Sequence, residues 1–444
     1  MKKISFKGGI HPKDFKEMTC YEKIKTIKPT AIMVYPIQQH IGAPCKPIVK
    51  KGDCILLGQK IAEATAFVSV PIHSTVSGRV KGIEERMTLM GQRGQAIVIE
   101  NDFLDEPHVM MPAYGEDYKN QSKELLLSQI KEAGLVGMGG ATFPTHVKLT
   151  VPEGKQVHHI LINAAECEPY LTSDYRVMLE ESERIVEGIK ILLHMFKEAD
   201  VTIGIEDNKR NAVQLLKEKI GTSTKVQVVM LQTKYPQGSE KQLIDAVVHK
   251  EISRGGLPID IGCVVVNIET VIGIWRAVVK GRPSMRRIVT VSGKGVLKPG
   301  NYKVRLGMSV RELLESAQWK EEVTVKIIAG GPMMGMAISD VDVPIMKGTS
   351  AILCFTAEEA RVPKVSNCIR CGKCIAVCPM HLMPMALEQA ALNQNDETFE
   401  RHFGRKCIEC GSCAYICPVK RQLVQSIRTQ KYRIKQNNTR TEGS

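Results

Sequence analysis

The chain has 444 residues, of which 43% are hydrophobic and 24% are charged. This length is sufficient for three or four domains with separate cores, and the composition is that of an ordinary globular protein. Lys and Arg outnumber Asp and Glu by 61 to 47, but only 5% of the residues are aromatic. Because no nucleic-acid-binding pattern accompanies the positive charge, we expect no nucleic acid as a partner.

No apolar run approaches the ~18 residues that a membrane-spanning helix requires. The longest candidate, residues 261–274, is interrupted by Asn267, Glu269 and Gly273. The N-terminus also lacks the apolar stretch of a secretory signal. We therefore expect a cytoplasmic location and no transmembrane helix.

Residues 1–110 contain short apolar segments separated by glycines, which predicts a β-rich domain. The segments 49–62, VKKGDCILLGQKIA, and 71–80, PIHSTVSGRV, resemble the biotinyl and lipoyl carrier domains. That resemblance implies a barrel-sandwich fold, a flattened barrel of two sheets. Because no lysine lies between Ala62 and Gly78, we expect a structural relative of the carriers without a prosthetic arm.

Residues 120–285 alternate between apolar strands and amphipathic helices, which predicts an α/β, Rossmann-like domain. A helix is expected over residues 180–196 and a strand over 199–205. Further β-branched runs at 159–163, 226–231 and 263–267 suit buried parallel strands.

The remaining chain predicts two further domains and a tail. Residues 286–355 return to strands and turns with a helix over 309–316, and they resemble the small α+β, β-grasp domain called SLBB. Residues 356–425 hold two cysteine runs separated by a helix over 384–392, which predicts a helical module. Residues 426–444 form a basic tail, expected to be either solvated or a docking element for a membrane complex or anionic lipid.

Eight of the 14 cysteines fall into two runs that both match C-x2-C-x2-C-x3-C-P. This spacing is typical of proteins with two [4Fe–4S] clusters, in which the fourth cysteine of each run ligates the other cluster. A pair of structural zinc sites also uses C-x2-C pairs but does not require this tandem register. The predicted ligands are Cys368, Cys371, Cys374 and Cys417 for one cluster, and Cys407, Cys410, Cys413 and Cys378 for the other.

The other six cysteines are scattered singly, and buried thiols are their expected identity. They are Cys20, Cys45, Cys54, Cys167, Cys263 and Cys354.

The glycine-rich segment 134–148, GLVGMGGATFPTHVK, is able to bring backbone N–H groups close to a phosphate, with Lys148 to neutralise it. Tight packing alone would also explain the glycines. Three more polar segments, 162–170, 235–241 and 266–270, end or follow apolar strands. Ligands of open α/β sheets lie beyond the carboxyl ends of strands, so we expect these segments to converge on one pocket.

The order and content of these four segments resemble the flavin-binding subunit of complex I and of NAD-linked hydrogenases, which holds FMN and oxidises NADH. This chain departs from that subunit at Thr142, where the family has glycine, and at Ala165, where it has aspartate. The resemblance implies catalytic residues near the nicotinamide nucleotide at Glu166 and Glu168. It implies FMN contacts at Gly137, Gly139, Gly140, Lys148, Asn163 and Asn267.

Taken in order, the His-Pro start at residues 11–12, the carrier-like domain, the flavin segments, the SLBB-like domain and the paired cysteine runs resemble the RnfC family of Rnf complex subunits. That resemblance implies two [4Fe–4S] clusters, FMN and NAD(H) as cofactors and substrate. It also implies a peripheral subunit on the cytoplasmic face of the cell membrane, with other Rnf subunits as partners and ferredoxin as an indirect redox partner. The complex would couple electron flow to ion translocation.

Two alternatives belong to other functional classes. The first is a soluble flavin and iron–sulfur NADH-dependent reductase, such as a cobalamin reductase. The second is a non-enzymatic electron-transfer and docking subunit with a vestigial flavin site. Iron and flavin content distinguish the second alternative, and salt-sensitive membrane association argues against the first.

Overall fold

The computed structural model describes residues 4–253 and 255–442, with side chains up to residue 437. The N-terminal part contains eight strands, and seven of them form two antiparallel sheets with orders β2-β8-β7-β4 and β3-β5-β6. This is the barrel of two sheets expected from the sequence. The strands are β1 Lys25–Thr26, β2 Ile32–Pro36, β3 Lys46–Pro47, β4 Cys54–Ile55, β5 Lys60–Glu63, β6 Ile72–His73, β7 Gly78–Met87 and β8 Arg93–Asn101.

The α/β domain follows, with a four-stranded sheet of order β11-β10-β9-β12 in which every pair is parallel. All the strands expected for this domain are present. Its elements are α1 Lys123–Glu132, α2 Thr145–Leu149, β9 His159–Ala164, α3 Ser173–Glu180, α4 Ser182–Met195, β10 Asp200–Glu206, α5 Arg210–Ile220, β11 Val226–Leu231, α6 Glu240–Val248, β12 Cys263–Asn267 and α7 Ile268–Lys280.

The single helix expected over residues 180–196 is instead the end of α3 followed by α4. The backbone leaves helical geometry at Glu181, whose carboxylate accepts hydrogen bonds from Arg184 and Arg276. The periodicity of the sequence did not reveal this break, because the apolar pattern continues in α4 within one turn of the end of α3.

The third domain contributes most of a six-stranded sheet of order β1-β14-β13-β17-β15-β16. Its expected helix begins at Ser309, where Ser309 and Glu312 form a capping box. The elements are β13 Arg286–Ser292, β14 Gly300–Arg305, α8 Val310–Ser316, β15 Thr324–Ala329, β16 Met336–Ile338 and β17 Ala351–Thr356.

The barrel and the third domain share one hydrophobic core, in which Tyr35 and Ile97 from the barrel pack in the same cluster as Tyr302 and Leu306. The hydroxyl of Thr75 also donates to the carbonyl oxygen of Leu306 at 2.8 Å. The two domains are therefore one packed body.

The first residues of the chain lie outside the barrel predicted for residues 1–110. Ile4 pairs with Leu231 and Ile10 pairs with Tyr235, while β1 extends the sheet of the third domain beside β14. The segment 4–26 therefore runs across the α/β domain and ties it to the third domain.

The cysteine domain is mainly helical, and its helix α10 has the bounds expected from the sequence. The helices are α9 Lys373–Ala376, α10 Pro384–Leu392, α11 Asp396–Arg401, α12 Ser412–Ile416 and α13 Leu423–Glu442. The expectation of a solvated tail after residue 425 is wrong for residues 426–437, because they belong to α13 and bury Ile427 and Ile434 in the domain core. The side chains beyond residue 437 lie outside the described residues.

Within residues 4–253 and 255–442, no helix has both the length and the apolar content needed to cross a membrane.

Helices α4 and α7 pack closely at Gly188, where an added Cβ would lie 2.4 Å from the carbonyl oxygen of Val271. We expect Gly188→Ala to lower the free energy of unfolding by about 1–3 kcal/mol through overpacking, measured by chemical denaturation. Gly94→Ala is the matched control, since an added Cβ there meets nothing within 4 Å. Equal stability of both variants would contradict the close packing.

Candidate functional site

The polar segments expected to converge do meet at one end of the parallel sheet. Asn163 of β9 lies opposite Asn267 of β12 in the strand register, and the side-chain amide of Asn163 donates to the carbonyl of Gly238 at 2.7 Å. A Cβ added to Gly139 would lie 3.4 Å from that of Asn267. The glycine-rich loop, both asparagines and the loop after β11 therefore form one constellation.

The glycine-rich loop is held from behind through Met138. The N–H of Met138 donates to the Thr270 hydroxyl at 2.9 Å, and its carbonyl accepts from Arg287 at 2.9 Å. Arg287 also pairs at 2.5 Å with Glu269, and both side chains are almost fully buried. A buried ion pair thus fixes the loop to the start of α7.

The outer side of the loop has room for a ligand. Gly140 has φ +101, which favours glycine, and an added Cβ there meets nothing within 4 Å. Lys148 lies on the short helix α2 and is half-buried, with its ammonium 2.7 Å from the carboxylate of Glu240. These features fit a phosphate-bearing cofactor whose negative charge would compete for the ammonium of Lys148.

Asn267 has a structural task in addition to its place in the constellation. Its side-chain oxygen accepts from the N–H groups of Glu269 and Thr270 and caps α7, and its amide donates to Asp174 at 2.8 Å. Burial and the neighbouring Glu166 raise the pKa of the Asp174 carboxyl well above its ordinary value. A neutral acid at this position lowers the cost of burying it beside other carboxylates.

Glu166 also acts as a helix cap. Its carboxylate accepts from the N–H groups of Asp174 at 2.7 Å and Tyr175 at 3.2 Å, at the positive end of α3. Both oxygens are thereby engaged with the backbone. Its predicted place beside the nucleotide stays a prediction.

Glu168 lies where three domains meet. Its carboxylate accepts from the N–H groups of Met333 and Met334, both at 3.0 Å, and lies 3.5 Å from the hydroxyl of Tyr235. Burial raises the pKa of Glu168 to about 7. Its proton occupancy therefore changes near neutral pH.

Two buried lysines that the sequence patterns did not single out hold the loop carrying these acids. The ammonium of Lys16 donates at 2.9 Å to the carbonyls of both Glu166 and Glu168. Lys209 donates to the carbonyl of Ala165 at 2.8 Å and pairs with Glu206 at 3.0 Å. Lys16 falls within the range predicted to form the barrel. Its contact with the loop of Glu166 and Glu168 follows from the path of the N-terminal segment across the α/β domain, which the sequence pattern does not indicate.

Four of the predicted cluster ligands line one cavity, otherwise walled by apolar side chains such as Leu387 and Ile427. These ligands are Cys378, Cys407, Cys410 and Cys413. Burial raises the pKa of Cys407 to about 11, so a nearby cationic metal is needed to hold it as a thiolate. Four thiols in an apolar wall fit a cubane cluster, and Cys378 of the first run lies among them. Crossed ligation stays a prediction.

The described residues contain no group of three or more His, Cys, Asp or Glu side chains at the spacing of a site for a single ion.

Two of the other four cysteines lie nearer the surface. Cys417 is buried and Cys374 is half-buried, and both pack in a small apolar cluster with Leu423. Cys368 and Cys371 are exposed. The two sets of thiols therefore differ in solvent access.

Two hydrogen bonds join the α/β domain to the segments that carry the buried set, and a third comes from the N-terminal segment. The Tyr235 hydroxyl donates to the carbonyl of Cys410 at 2.7 Å, and the Gln242 amide donates to the carbonyl of Pro379 at 3.0 Å. The N–H of Gly9 donates to the carbonyl of Val377 at 2.9 Å. The loop after β11 thus contacts both the strand-end constellation, through Gly238, and the buried thiol set, through Tyr235.

The expectation that the six scattered cysteines are buried is wrong for Cys54, which is exposed, while Cys20 and Cys167 are half-buried. Cys54 lies in the short strand β4, whose side chains alternate between the barrel interior and solvent.

Four family models match successive parts of the chain. They are the RnfC Barrel sandwich hybrid domain over residues 4–104, the Nuo51 FMN-binding domain over 130–276, the SLBB domain over 288–337 and the 4Fe-4S dicluster domain over 362–418.

Curated relatives, each the C subunit of its complex, match over most of the chain. The relative from the Na(+)-translocating ferredoxin:NAD(+) oxidoreductase complex of Acetobacterium woodii is 43% identical over 97% of both chains. The relative from the proton-translocating complex of Clostridium ljungdahlii is 47% identical over 88% of this chain and 85% of the relative. The relative from the ion-translocating oxidoreductase complex of Rhodobacter capsulatus is 38% identical over 87% and 75%.

A chain of an NAD+-reducing [NiFe]-hydrogenase in the H2-reduced state has a similar fold, with a TM-score of 0.52 at 17% identity. The match covers 70% of this chain and 63% of that chain.

The crossed ligation is testable by paired substitutions. We expect Cys378→Ala to abolish the same cluster signal in electron paramagnetic resonance as Cys410→Ala, and Cys417→Ala the same signal as Cys371→Ala, each with a loss of about four irons. Cys54→Ser is the control and should keep all iron. Loss of the Cys371 signal in Cys378→Ala would contradict crossed ligation.

Removal of Arg287, the cation behind the glycine-rich loop, should leave the buried carboxylate of Glu269 without its partner and so destabilise the fold. We expect Arg287→Met to lower the free energy of unfolding by about 3–5 kcal/mol at pH 8, and Arg287→Met/Glu269→Met to lower it less. Burial raises the pKa of Glu269, so the loss in the single variant should be smaller at pH 5 than at pH 8, because a lower pH favours the protonated, neutral form of Glu269.

Arg311→Met in the exposed pair with Asp342 is the control, with a loss of at most about 1 kcal/mol. Denaturation curves at both pH values make the measurement. A pH-independent loss in Arg287→Met would refute the role of the unpaired carboxylate.

Proposed function

The chain belongs to the RnfC family of Rnf complex subunits, and from this premise we propose that it passes electrons between NAD(H), FMN and two [4Fe–4S] clusters. The observation that carries the proposal is the contact between the strand-end constellation and the buried thiol set. Tyr235, from the loop after β11, donates to the carbonyl of Cys410. Gln242, from the following helix, donates to the carbonyl of Pro379, the residue after Cys378. One side of this connection suits a flavin and the other a cluster.

FMN is the component able to exchange a hydride with NAD(H) and also to pass electrons singly. Six residues would hold it: Gly137, Gly139, Gly140, Lys148, Asn163 and Asn267. Lys148 would neutralise the phosphate in exchange for its contact with Glu240. Asn163 and Asn267 are kept in place by Gly238 and Asp174, so their orientation does not depend on the ligand.

The acids have different roles in this proposal. Glu166 positions α3 through the backbone contacts of its carboxylate, with Lys16 holding its carbonyl from the opposite side. Glu168 holds the loop of Met333 and Met334 against the α/β domain and exchanges a proton near neutral pH. Both would lie near the nicotinamide nucleotide, where fixed negative charge influences the binding of NAD+ and NADH.

The two thiol sets would order the two clusters along the path of the electrons. The set of Cys378, Cys407, Cys410 and Cys413 would hold the inner cluster, next to the α/β domain. The set containing Cys368 and Cys371 would hold the outer cluster, because these two thiols are exposed. A redox partner would therefore dock at the outer set.

Within the proposed complex this chain is a peripheral subunit on the cytoplasmic face of the membrane. Other Rnf subunits are its partners, and ferredoxin is the redox partner reached through them. Those subunits would couple the electron flow to ion translocation, as the names of the Acetobacterium and Clostridium relatives state for sodium ions and protons.

A soluble reductase such as a cobalamin reductase is not favoured, since relatives over nearly the whole chain are subunits of ion-translocating complexes. If the chain were a docking subunit with a vestigial flavin site, Thr142 and Ala165 would mark positions where flavin contacts have been lost. Gly140 remains open on its outer side, which supports a functional cradle.

The decisive experiment is an anaerobic absorbance titration of the purified chain with NADH, with iron and extractable FMN counted on the same sample. We expect about eight irons, one FMN and bleaching of the flavin by NADH. Cys371→Ser should leave flavin bleaching intact while removing reduction of an external acceptor, with Cys54→Ser as the control. Eight irons without flavin, even after incubation with FMN, would refute the dehydrogenase function.

A further inference from the structure

A basic cleft lies where the α/β domain, the barrel and the third domain meet. We call it the arginine cleft. It consists of two cavities of about 500 and about 190 Å³ that share Arg286 and Arg305 in their walls. Of the glycine-rich segment it touches Leu135 and Met138, and none of the six residues proposed to hold FMN lines it. The cleft is thus separate from the flavin constellation.

The walls of the cleft carry a strong excess of positive charge. Six cationic side chains line it, whereas Asp105 is the single acid among the lining residues. Asp105 is already engaged, since both its oxygens accept from Arg305 at 2.6 and 2.5 Å. The cations are Lys28, Arg276, Arg282, Arg286, Lys303 and Arg305.

One further acid, Glu181, lies close to the cleft but is also occupied. Its carboxylate accepts from Arg276 at 3.0 Å and from Arg184, and it is 3.8 Å from the ammonium of Lys303. It cannot therefore neutralise the remaining cations at short range.

Arg286 is the centre of this imbalance. Within the described part of the chain the guanidinium of Arg286 has neither a hydrogen-bond nor an ion-pair partner, although the residue is half-buried. Burial, assisted by the charge of Arg276, lowers the pKa of Arg286 to about 10. A cation in such a position is destabilised unless an anion accompanies it.

Two more donors at the cleft are unsatisfied. The Nε of Arg276 and the hydroxyl of Ser284 are buried and have no hydrogen-bond partner. Buried donors are ordinarily paired. Both residues line the smaller cavity, so a ligand with several acceptor oxygens would satisfy them together with Arg286.

The neighbouring residue on the same strand provides an internal comparison. Successive side chains of β13 point to opposite faces, and Arg287 is inward, buried and paired with Glu269. Arg286 is the preceding residue of the same strand, and no carboxylate is in contact with it. The chain places a carboxylate in contact with Arg287 on one face of β13 and none in contact with Arg286 on the other.

From these observations we propose that the arginine cleft binds a small molecule that carries phosphate groups. Guanidinium groups present parallel N–H donors that match phosphate oxygens. Arg282, Arg286 and Ser284 would bind the phosphates in the smaller cavity. Ile27, Pro29 and Phe103 line the larger cavity and would contact an organic portion of the ligand.

Calorimetric titration of the holoprotein with inorganic pyrophosphate tests the site. We expect saturable binding with Kd of about 1 mM or tighter, weakened roughly tenfold or more in both Arg286→Gln and Arg282→Gln. Arg282 is exposed, so its replacement keeps the test valid if Arg286→Gln fails to fold. Arg311→Gln, in an exposed ion pair of the same domain, should bind like the parent.

Two further measurements separate the phosphate source and the site. Sedimentation with phosphatidylcholine vesicles, with and without phosphatidylglycerol, distinguishes a lipid headgroup from a soluble phosphate compound. Binding of pyrophosphate or of phosphatidylglycerol vesicles that is lost in both cleft variants supports the phosphate site and names its source. Flavin bleaching by NADH should persist in Arg282→Gln, which separates this site from the proposed electron transfer.

Absence of binding to either probe would overturn the proposal. Binding that survives in both cleft variants would overturn it as well, because the excess cations would then have no role in recognition.

Discussion

The arrangement of the domains depends on the hydrogen bonds that the guanidinium of Arg287 donates. This group donates to the carbonyl of Thr349 in the third domain, to Glu269 at the start of α7 and to the carbonyl of Met138 in the glycine-rich loop. Because the group is buried, each of these contacts is shielded from water and is costly to leave unpaired. The position of the glycine-rich loop is therefore tied directly to the third domain, in addition to its own sheet.

The same principle applies to the rest of the molecule, in which buried polar groups of one domain satisfy those of another. Lys16 reaches from the N-terminal segment to the loop of Glu166 and Glu168. Tyr235 bridges towards Glu168 and the carbonyl of Cys410. The shared apolar core of the barrel and the third domain supports these contacts from behind. A redox protein benefits from such rigidity, since cofactors held on different domains must keep fixed separations.

The unpaired charge in the arginine cleft stands out against this background. Two buried cations near the candidate site have a carboxylate in contact, Lys209 with Glu206 at 3.0 Å and Arg287 with Glu269 at 2.5 Å. Arg286 has none, and its strand neighbour shows that the fold is able to supply one. The difference distinguishes an interior ion pair that supports the fold from a cation available to a ligand.

The sequence by itself determined the parts of this protein that depend on local patterns. Cysteine spacing predicted both thiol sets, strand periodicity located the four parallel strands, and the polar residues after them indicated the convergent edge, because parallel strands end on the same side. Only the tertiary structure decided which groups neutralise one another. The path of residues 4–26, the packing of α13 and the contrast between Arg286 and Arg287 depend on partners distant in sequence, and local periodicity carries no information about such partners.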